Sequence, residues 1–532
     1  MKNLPKKSAW RAGRILLLPT LLLLGQNCTQ LTEVPHDALT PETAFKTDAE
    51  ILAGVAGVYA GLRSVEWVGY ITLQDLTTDA SIVPTRGNDW YDNGQWLDLH
   101  RQTWTANSAG TLAFLDGAWN DLFSGVAKSN LMIDVIQKSG LAQARKDSTL
   151  AELRTMRAWY YYMLQDMFGG VPLVTTTELK QVARVSRDSV FHFVEKELLD
   201  SRNNLPVKWD AGNYGRLTKG AANAILASLY LNAGIFDKNT GWNATGYNSC
   251  KGITVTGGDA CAAAVSAADA VINSGTYTLN PNWYNNFSLD NKSSPENIFV
   301  IVHTQQGTAG LGGSWPMRTL HYNQLNTGQG GPWNGFATLA ETYNLFTATD
   351  DRRNMWLVGQ QKSFETGQNV NDRAGAPLIF TPTIKDVNAA SEAEGVRFNK
   401  FPPLPSAATG SGMPNDFTFF RLAEMYLIKA EALLEQGNTG AAQTEFNRIH
   451  NLHDPSHPVV VSRDAILTER LLELSAEGKR RSDLIRHGKF LSWTEASAHG
   501  HVAKPSETFR LLFPISSNQL GSNPLLTQNP GY

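Results

Sequence analysis

From Phe420 to His450 the chain reads FRLAEMYLIKAEALLEQGNTGAAQTEFNRIH, and its apolar positions alternate with polar ones at helical spacing. Leu422, Tyr426, Ala430, Leu433 and Leu434 fall on one helical face. Gly437-Asn438 supplies left-handed residues that end this helix, and Ala441, Ala442, Phe446 and Ile449 form the stripe of a second one. Small alanines facing one another let two helices approach closely, so the stretch predicts an antiparallel hairpin.

The spacing of Ala430, Gly437, Ala442 and Phe446 resembles a tetratricopeptide repeat, a hairpin of about 34 residues that buries its face only by stacking on others. One hairpin therefore predicts more. Helical periods recur over Thr47 to Arg63, with Ile51, Val55 and Val58 inward, and over Leu112 to Lys138. They recur again over Leu150 to Phe168, closed by Gly169-Gly170, over Arg187 to about Leu205, and over Leu217 to Gly234. The last of these finds its partner only after an insertion, at Ala262 to Ser274. A single helix dense in Arg and Glu is expected from Arg463 to His487, its Glu469, Glu473 and Glu477 forming an i, i+4 lattice with the arginines.

Two stretches lack this period. Tyr70 to Thr105 holds Trp90, Tyr91, Trp96 and Trp104 among Asp, Asn and Arg and reads as a structured loop. Gly275 to about Gly412 is rich in Asn, Gly, Pro and Ser. In it NIFVIVH (Asn297 to His303) reads as a strand and Leu339 to Phe346 as a short helix. The fold class is therefore mainly α, with about four tetratricopeptide-like hairpins packed against an irregular lobe of loops, short helices and short strands. The scaffold covers about 47–69, 106–274 and 418–490, the loop-rich lobe about 70–105 and 275–417, and a C-terminal tail 491–532.

Composition adds one point to this pattern. The 45 glycines, 23 prolines and 14 tryptophans exceed what helices need and imply extensive loops, where ligand contacts are usually built.

Residues 1–27 read as a signal peptide: Lys2, Lys6, Lys7, Arg11 and Arg14 precede an apolar run from Ile15 to Leu24. That run is too short for a bilayer, which needs about 20 residues. Cys28 follows, positioned as the acylated first residue of a lipoprotein; the alternative is an ordinary secretory signal with an incidental cysteine. Residues 28–46 are polar and proline-punctuated, as a tether is. Loss of 1–27 removes those five positive charges and no negative ones, moving the formal charge from −3 to about −8. Such a protein is a poor partner for nucleic acid, whose binding rests on phosphate neutralisation. In an exported setting the two remaining cysteines, Cys250 and Cys261, bracket a Gly-rich loop and are expected to form a disulfide, with two free thiols as the alternative.

Several stretches in order along the chain resemble the SusD/RagB family of Bacteroidetes outer-membrane lipoproteins: the signal ending at Cys28, PTRGNDWYDNGQW, AWNDLFSGVAKSN, RAWYYYMLQDMFGGVPLV, GRLTKGAANAILASLYLNAG, SPENIFVI, FRLAEMYLIKAEALL, ERLLELSAEGKRRSDLIRHGKF and LLFPISSNQL. The resemblance implies four helical hairpins supporting a loop lobe. It also implies a cell-surface lipoprotein that acts as the lid of a SusC-like TonB-dependent transporter, capturing an oligosaccharide, or in some branches a peptide, without cleaving it. No cofactor is implied. The family's site combines the two loop regions, so the role transfers most readily to Trp96, Asp79 and Arg86, and then to Trp315 and Trp333. The residues themselves suit it: sugar C–H faces pack on aromatic rings while hydroxyls need polar partners. Trp90, Tyr91 and Trp96 with Asp79, Arg86, Asp92 and Asn93 offer both in one loop, and Trp315 and Trp333 with Arg318 and Asn334 offer a second wall. About half of these aromatics are expected to be core. On this reading Trp96→Ala weakens binding with little loss of stability.

Other chemistry is poorly supported. A surface glycoside hydrolase needs two carboxylates at a fixed separation that sequence does not give. Nucleophile-elbow, P-loop and HExxH patterns are absent. GTAGLGG (Gly307 to Gly313) is followed by Trp315-Pro316 rather than by a helix that binds a dinucleotide. His450, His453 and His457 sit among Pro455 and Pro458 and read as a solvated turn rather than metal ligands, and Lys479 to Arg481 as part of the charge lattice rather than an anion site.

Overall fold

The computed structural model describes residues 45, 47–67, 69–239, 241–304, 313–326, 328, 330–405, 412–493 and 503–532. The signal segment, Cys28 and most of the Gly307 to Gly313 loop lie outside the described residues.

Helix α1 (Asp48–Ala60) opens on a capping box in which Thr47 and Glu50 satisfy each other's amides, and it buries Ile51, Val55 and Val58. The stack continues with α2 (Asp116–Lys138), α3 (Gln143–Phe168), α4 (Arg187–Ser201), α5 (Lys219–Leu231) and α6 (Ala260–Ile272), then α7 (Leu422–Glu435) and α8 (Thr439–His453). Each packs on the next, including α5 on α6 across the insertion and α6 on α7 across the entire loop lobe. Alanines make this possible: Ala221, Ala222, Ala224 and Ala227 of α5 and Ala264, Ala267 and Ala268 of α6 are buried. The insertion between α5 and α6 is closed by a Cys250–Cys261 disulfide.

The loop lobe joins the stack through a two-stranded antiparallel sheet, β1 (Asn297–Ile301) with β2 (Phe417–Arg421). Phe299, Phe419 and Phe420 from this sheet surround Trp159 of α3, which also stacks on Tyr162. The apolar core is thus continuous from the hairpins into the lobe.

Four expectations need correction. Tyr70 to Thr105 contains two helices, Tyr70–Leu76 and Gln95–His100; the first escaped the periodicity because it is buried on every side, Thr72, Gln74 and Asp75 included. The helix expected from Arg463 to His487 is two, α9 (Arg463–Leu474) and α10 (Arg480–Arg486). They are separated by left-handed Ala476 and Gly478, where the Gly478 backbone lies against Ile71 and leaves no room for a Cβ. The Arg/Glu lattice is not an i, i+4 array within the helix, because the partners of its glutamates come from the lobe and the sheet. Arg421 is fully buried and bonds Glu296, Glu473 and Glu477, Lys400 bonds Glu477, and Arg352 bonds Asp350, Glu469 and Glu473. Glu469 and Glu473 therefore point into the lobe and fasten it to α9. His450 and His453 belong to the same arrangement: α8 runs to His453, His450 meets Glu469 at 2.9 Å, and His453 lies between Asp351 and Glu473. Only His457 lies on the surface expected for all three.

Candidate functional site

The candidate site is built on the segment Arg86 to Gly94. Arg86 and Asp89 exchange backbone hydrogen bonds of 2.9 and 3.0 Å around a turn at Gly87, and the chain then enters a strained run. Trp90, Asp92, Asn93 and Gly94 have φ of 64°, 38°, 57° and 79°. A left-handed backbone costs about 1–2 kcal/mol for each L-residue that has a Cβ, so neighbouring contacts must hold it in place. Three do. The Trp90 indole donates to the Trp333 carbonyl at 2.6 Å, the Trp96 indole donates to Asp92 Oδ2 at 2.8 Å, and the Gly94 amide donates to the Tyr91 carbonyl at 2.6 Å. Gly335 completes the seat, since a Cβ there would lie 2.4 Å from the Trp90 ring.

This geometry sorts the residues named from sequence. Trp96 is buried among Trp90, Phe114 and Phe336. Trp315 is buried too, stacked on Phe401 with the Arg318 guanidinium over its ring. Asp79 is turned inward onto Arg480 through a two-pronged ion pair of 2.7 and 2.6 Å. Arg86 is buried and donates to the Ser391 and Glu394 carbonyls, and burial pulls its pKa down to about 10. Of the second wall, Arg318 reaches Thr72 Oγ1 and the Glu66 carbonyl, and Asn334 receives Arg397. All these side chains support the site from within. Trp90 and Trp333 are half-buried, Trp333 packing over Met317, Leu325 and Met413. Asp92 and Asn93 are exposed, and Tyr91 stands 59% exposed at the crest of the strained run.

The residues that surround Tyr91's segment were missed from sequence. Asp89 Oδ2 accepts from the Tyr322 hydroxyl at 2.6 Å and from Arg373 Nη2 at 2.9 Å. Arg373 also binds Glu392 through its Nε, while its amide donates to Glu392 Oε2 at 3.0 Å, and its guanidinium lies 4.1 Å over the Tyr322 ring. His321 Nε2 meets Glu392 Oε2 at 2.9 Å. Partial burial acts to raise the Glu392 pKa, but the Arg373 amide, His321 and the Arg373 guanidinium outweigh it and hold it at about 2. Burial pushes the His321 pKa down against that bond. The patch therefore presents an exposed aromatic ring, a clamped guanidinium and carboxylate oxygens at one surface. The one available signal was the turn sequence Asn371-Asp372-Arg373-Ala374-Gly375, which projects its arginine from a hairpin tip. Nothing local tied it to Asp89, which is 284 positions away.

The fold is a helical-hairpin scaffold that carries a candidate surface site on an inserted loop lobe. The model of the SusD family matches residues 235–532, and that of "Starch-binding associating with outer membrane" matches residues 39–231. The chain belongs to the SusD/RagB family. It is 24% identical over 506 residues to a SusD-like protein of Bacteroides ovatus, covering 90% of this chain and 83% of that one. It is also 24% identical to the starch-binding protein SusD of Bacteroides thetaiotaomicron, over 83% and 82% of the two chains. The solved structure of a laminarin-binding SusD-like protein superposes with a TM-score of 0.72 at 24% identity, covering 92% of this chain and 100% of that one.

Proposed function

We propose that this protein is a cell-surface lipoprotein, anchored through Cys28, that captures an oligosaccharide at the Tyr91 patch and serves as the lid of a TonB-dependent outer-membrane transporter. The observation that carries the reading is the strained run Trp90–Asn93, which leaves Tyr91 exposed two residues from Asp89, the partner of Tyr322 and Arg373. Strain of this kind persists only where surrounding contacts over-determine it, and it clusters at ligand sites. A sugar ring needs an aromatic face and polar groups that both donate and accept, and the patch supplies each. Its contacts would come from Tyr91, Asn93 and the edges of Trp90 and Trp333, with Asp89, Tyr322 and Arg373 as polar partners. Trp96, Trp315, Asp79 and Arg86 would position them.

Capture without cleavage is the better reading of the carboxylates. Hydrolysis of a glycoside requires one carboxyl group kept protonated near neutral pH, whereas Glu392 is held at about 2. The relatives named for starch and laminarin support a glycan as the ligand. Calorimetry against a panel of oligosaccharides, with product analysis of the same mixtures, tests the reading. Saturable binding with intact ligand is expected, and cleavage or no binding across the panel contradicts it.

A further inference from the structure

Arg373 is the cation that stands on the patch, and its charge is already spent. Its Nε and Nη2 are bound to Glu392 and Asp89, and its plane rests on Tyr322, which leaves the guanidinium half-exposed but flanked by two carboxylates. Two further carboxylates flank the patch. Asp92 is exposed beside Tyr91, and Asp372 is half-buried on the hairpin tip, where its Oδ1 accepts from the Ala374 and Ala376 amides. Arg101, the arginine of the neighbouring helix end, turns to the Asn388 side chain. His321, buried against Glu392, adds no positive charge, because burial favours its neutral form.

From this arrangement we infer that the Tyr91 patch selects uncharged glycans and turns away those bearing carboxylate or sulfate groups. The inference rests on the glycan-capture reading and adds the ligand class. Its chemistry is direct. Asp89, Asp92 and Glu392 offer acceptor oxygens, and neutral sugars carry hydroxyl donors at nearly every ring carbon to satisfy them. A uronate or sulfate ester replaces donors with acceptors and brings a like charge to a surface where Arg373 is already doubly paired. A site built for acidic polymers would instead hold an arginine or lysine free of protein carboxylates.

The test uses the mature protein and two sets of hexasaccharides of equal length: laminari-, cello-, manno- and xylohexaose as neutral members, and hexagalacturonate, an alginate hexamer and a sulfated carrageenan hexamer as acidic ones. At least one neutral member is expected to bind, with every acidic member at least tenfold weaker and the gap narrowing in 0.5 M salt as charge repulsion is screened. Asp89→Asn retains an acceptor for Tyr322 while freeing Arg373 from one carboxylate, and it is expected to bring the acidic members at least threefold closer to the best neutral one. An acidic hexamer that binds as tightly as the neutral ones overturns the ligand class while leaving glycan capture intact. An unchanged ratio in the folded Asp89→Asn variant overturns charge as its cause. Binding by neither set overturns both the ligand class and the capture reading.

Discussion

The indole nitrogen of Trp90 donates to the main-chain carbonyl of Trp333 at 2.6 Å, joining two loops that lie 243 positions apart. This bond holds Trp90 in its left-handed conformation, and Gly335 gives the ring its space. Gly335→Ala is expected to push the Trp90 ring out of its seat, because the new Cβ would meet it at 2.4 Å. Overpacking of this kind costs about 1–3 kcal/mol. Thermal unfolding reads that loss, and calorimetry is expected to show oligosaccharide affinity falling at least tenfold.

Tyr91 and Trp96 are expected to separate binding from stability. Tyr91→Ala removes an exposed ring, so stability should stay within about 0.5 kcal/mol of the parent while binding is lost. Trp96→Ala opens the aromatic core formed with Phe114 and Phe336, a change that costs about 3–5 kcal/mol. This replaces the sequence-based expectation that Trp96→Ala weakens binding with little loss of stability. Denaturant unfolding of the two variants in parallel checks the contrast.

Asp79 should behave as a structural residue. Asp79→Ala leaves Arg480 buried without its two-pronged partner and is expected to destabilise the protein by about 3–5 kcal/mol. A variant that unfolds at the parent's denaturant concentration but fails to bind oligosaccharide would return Asp79 to the ligand.

His453 gives the fold a pH dependence. Burial lowers its pKa, but the Glu473 charge and the bonds to Asp351 and Glu473 outweigh that and raise it to about 9. Its folded pKa therefore lies above the unfolded value near 6.5, so its contribution is fully present below about pH 6.5 and is lost as pH rises through about 9. Unfolding curves of the parent and His453→Gln are expected to differ by roughly 1–3 kcal/mol at pH 6 and to converge by pH 10. A difference that is the same at both pH values contradicts the assignment.

The hairpins were legible from their apolar spacing and helix stops, as at Leu422 to Ile449, where the apolar stripe and Gly437 mark both helices. Buried charge was not legible. Arg421, Arg352 and Glu473 look like surface residues by type, and only the fold brings them together in the interior. The site was half-legible for a similar reason. PTRGNDWYDNGQW drew attention to the loop that carries the candidate patch, but sequence could not say that Trp96 points inward and Tyr91 outward, since that depends on the left-handed run between them. Tyr322, Arg373 and Glu392 reach Asp89 only through tertiary contacts.

Hydrogen–deuterium exchange of the mature protein, with and without a saturating neutral hexasaccharide from the panel above, tests the central claim most directly. The account predicts protection concentrated in residues 86–94 and 371–375 and in the segment around Tyr322. Protection confined to other surfaces, such as the face of α1, with these segments unchanged, would contradict it.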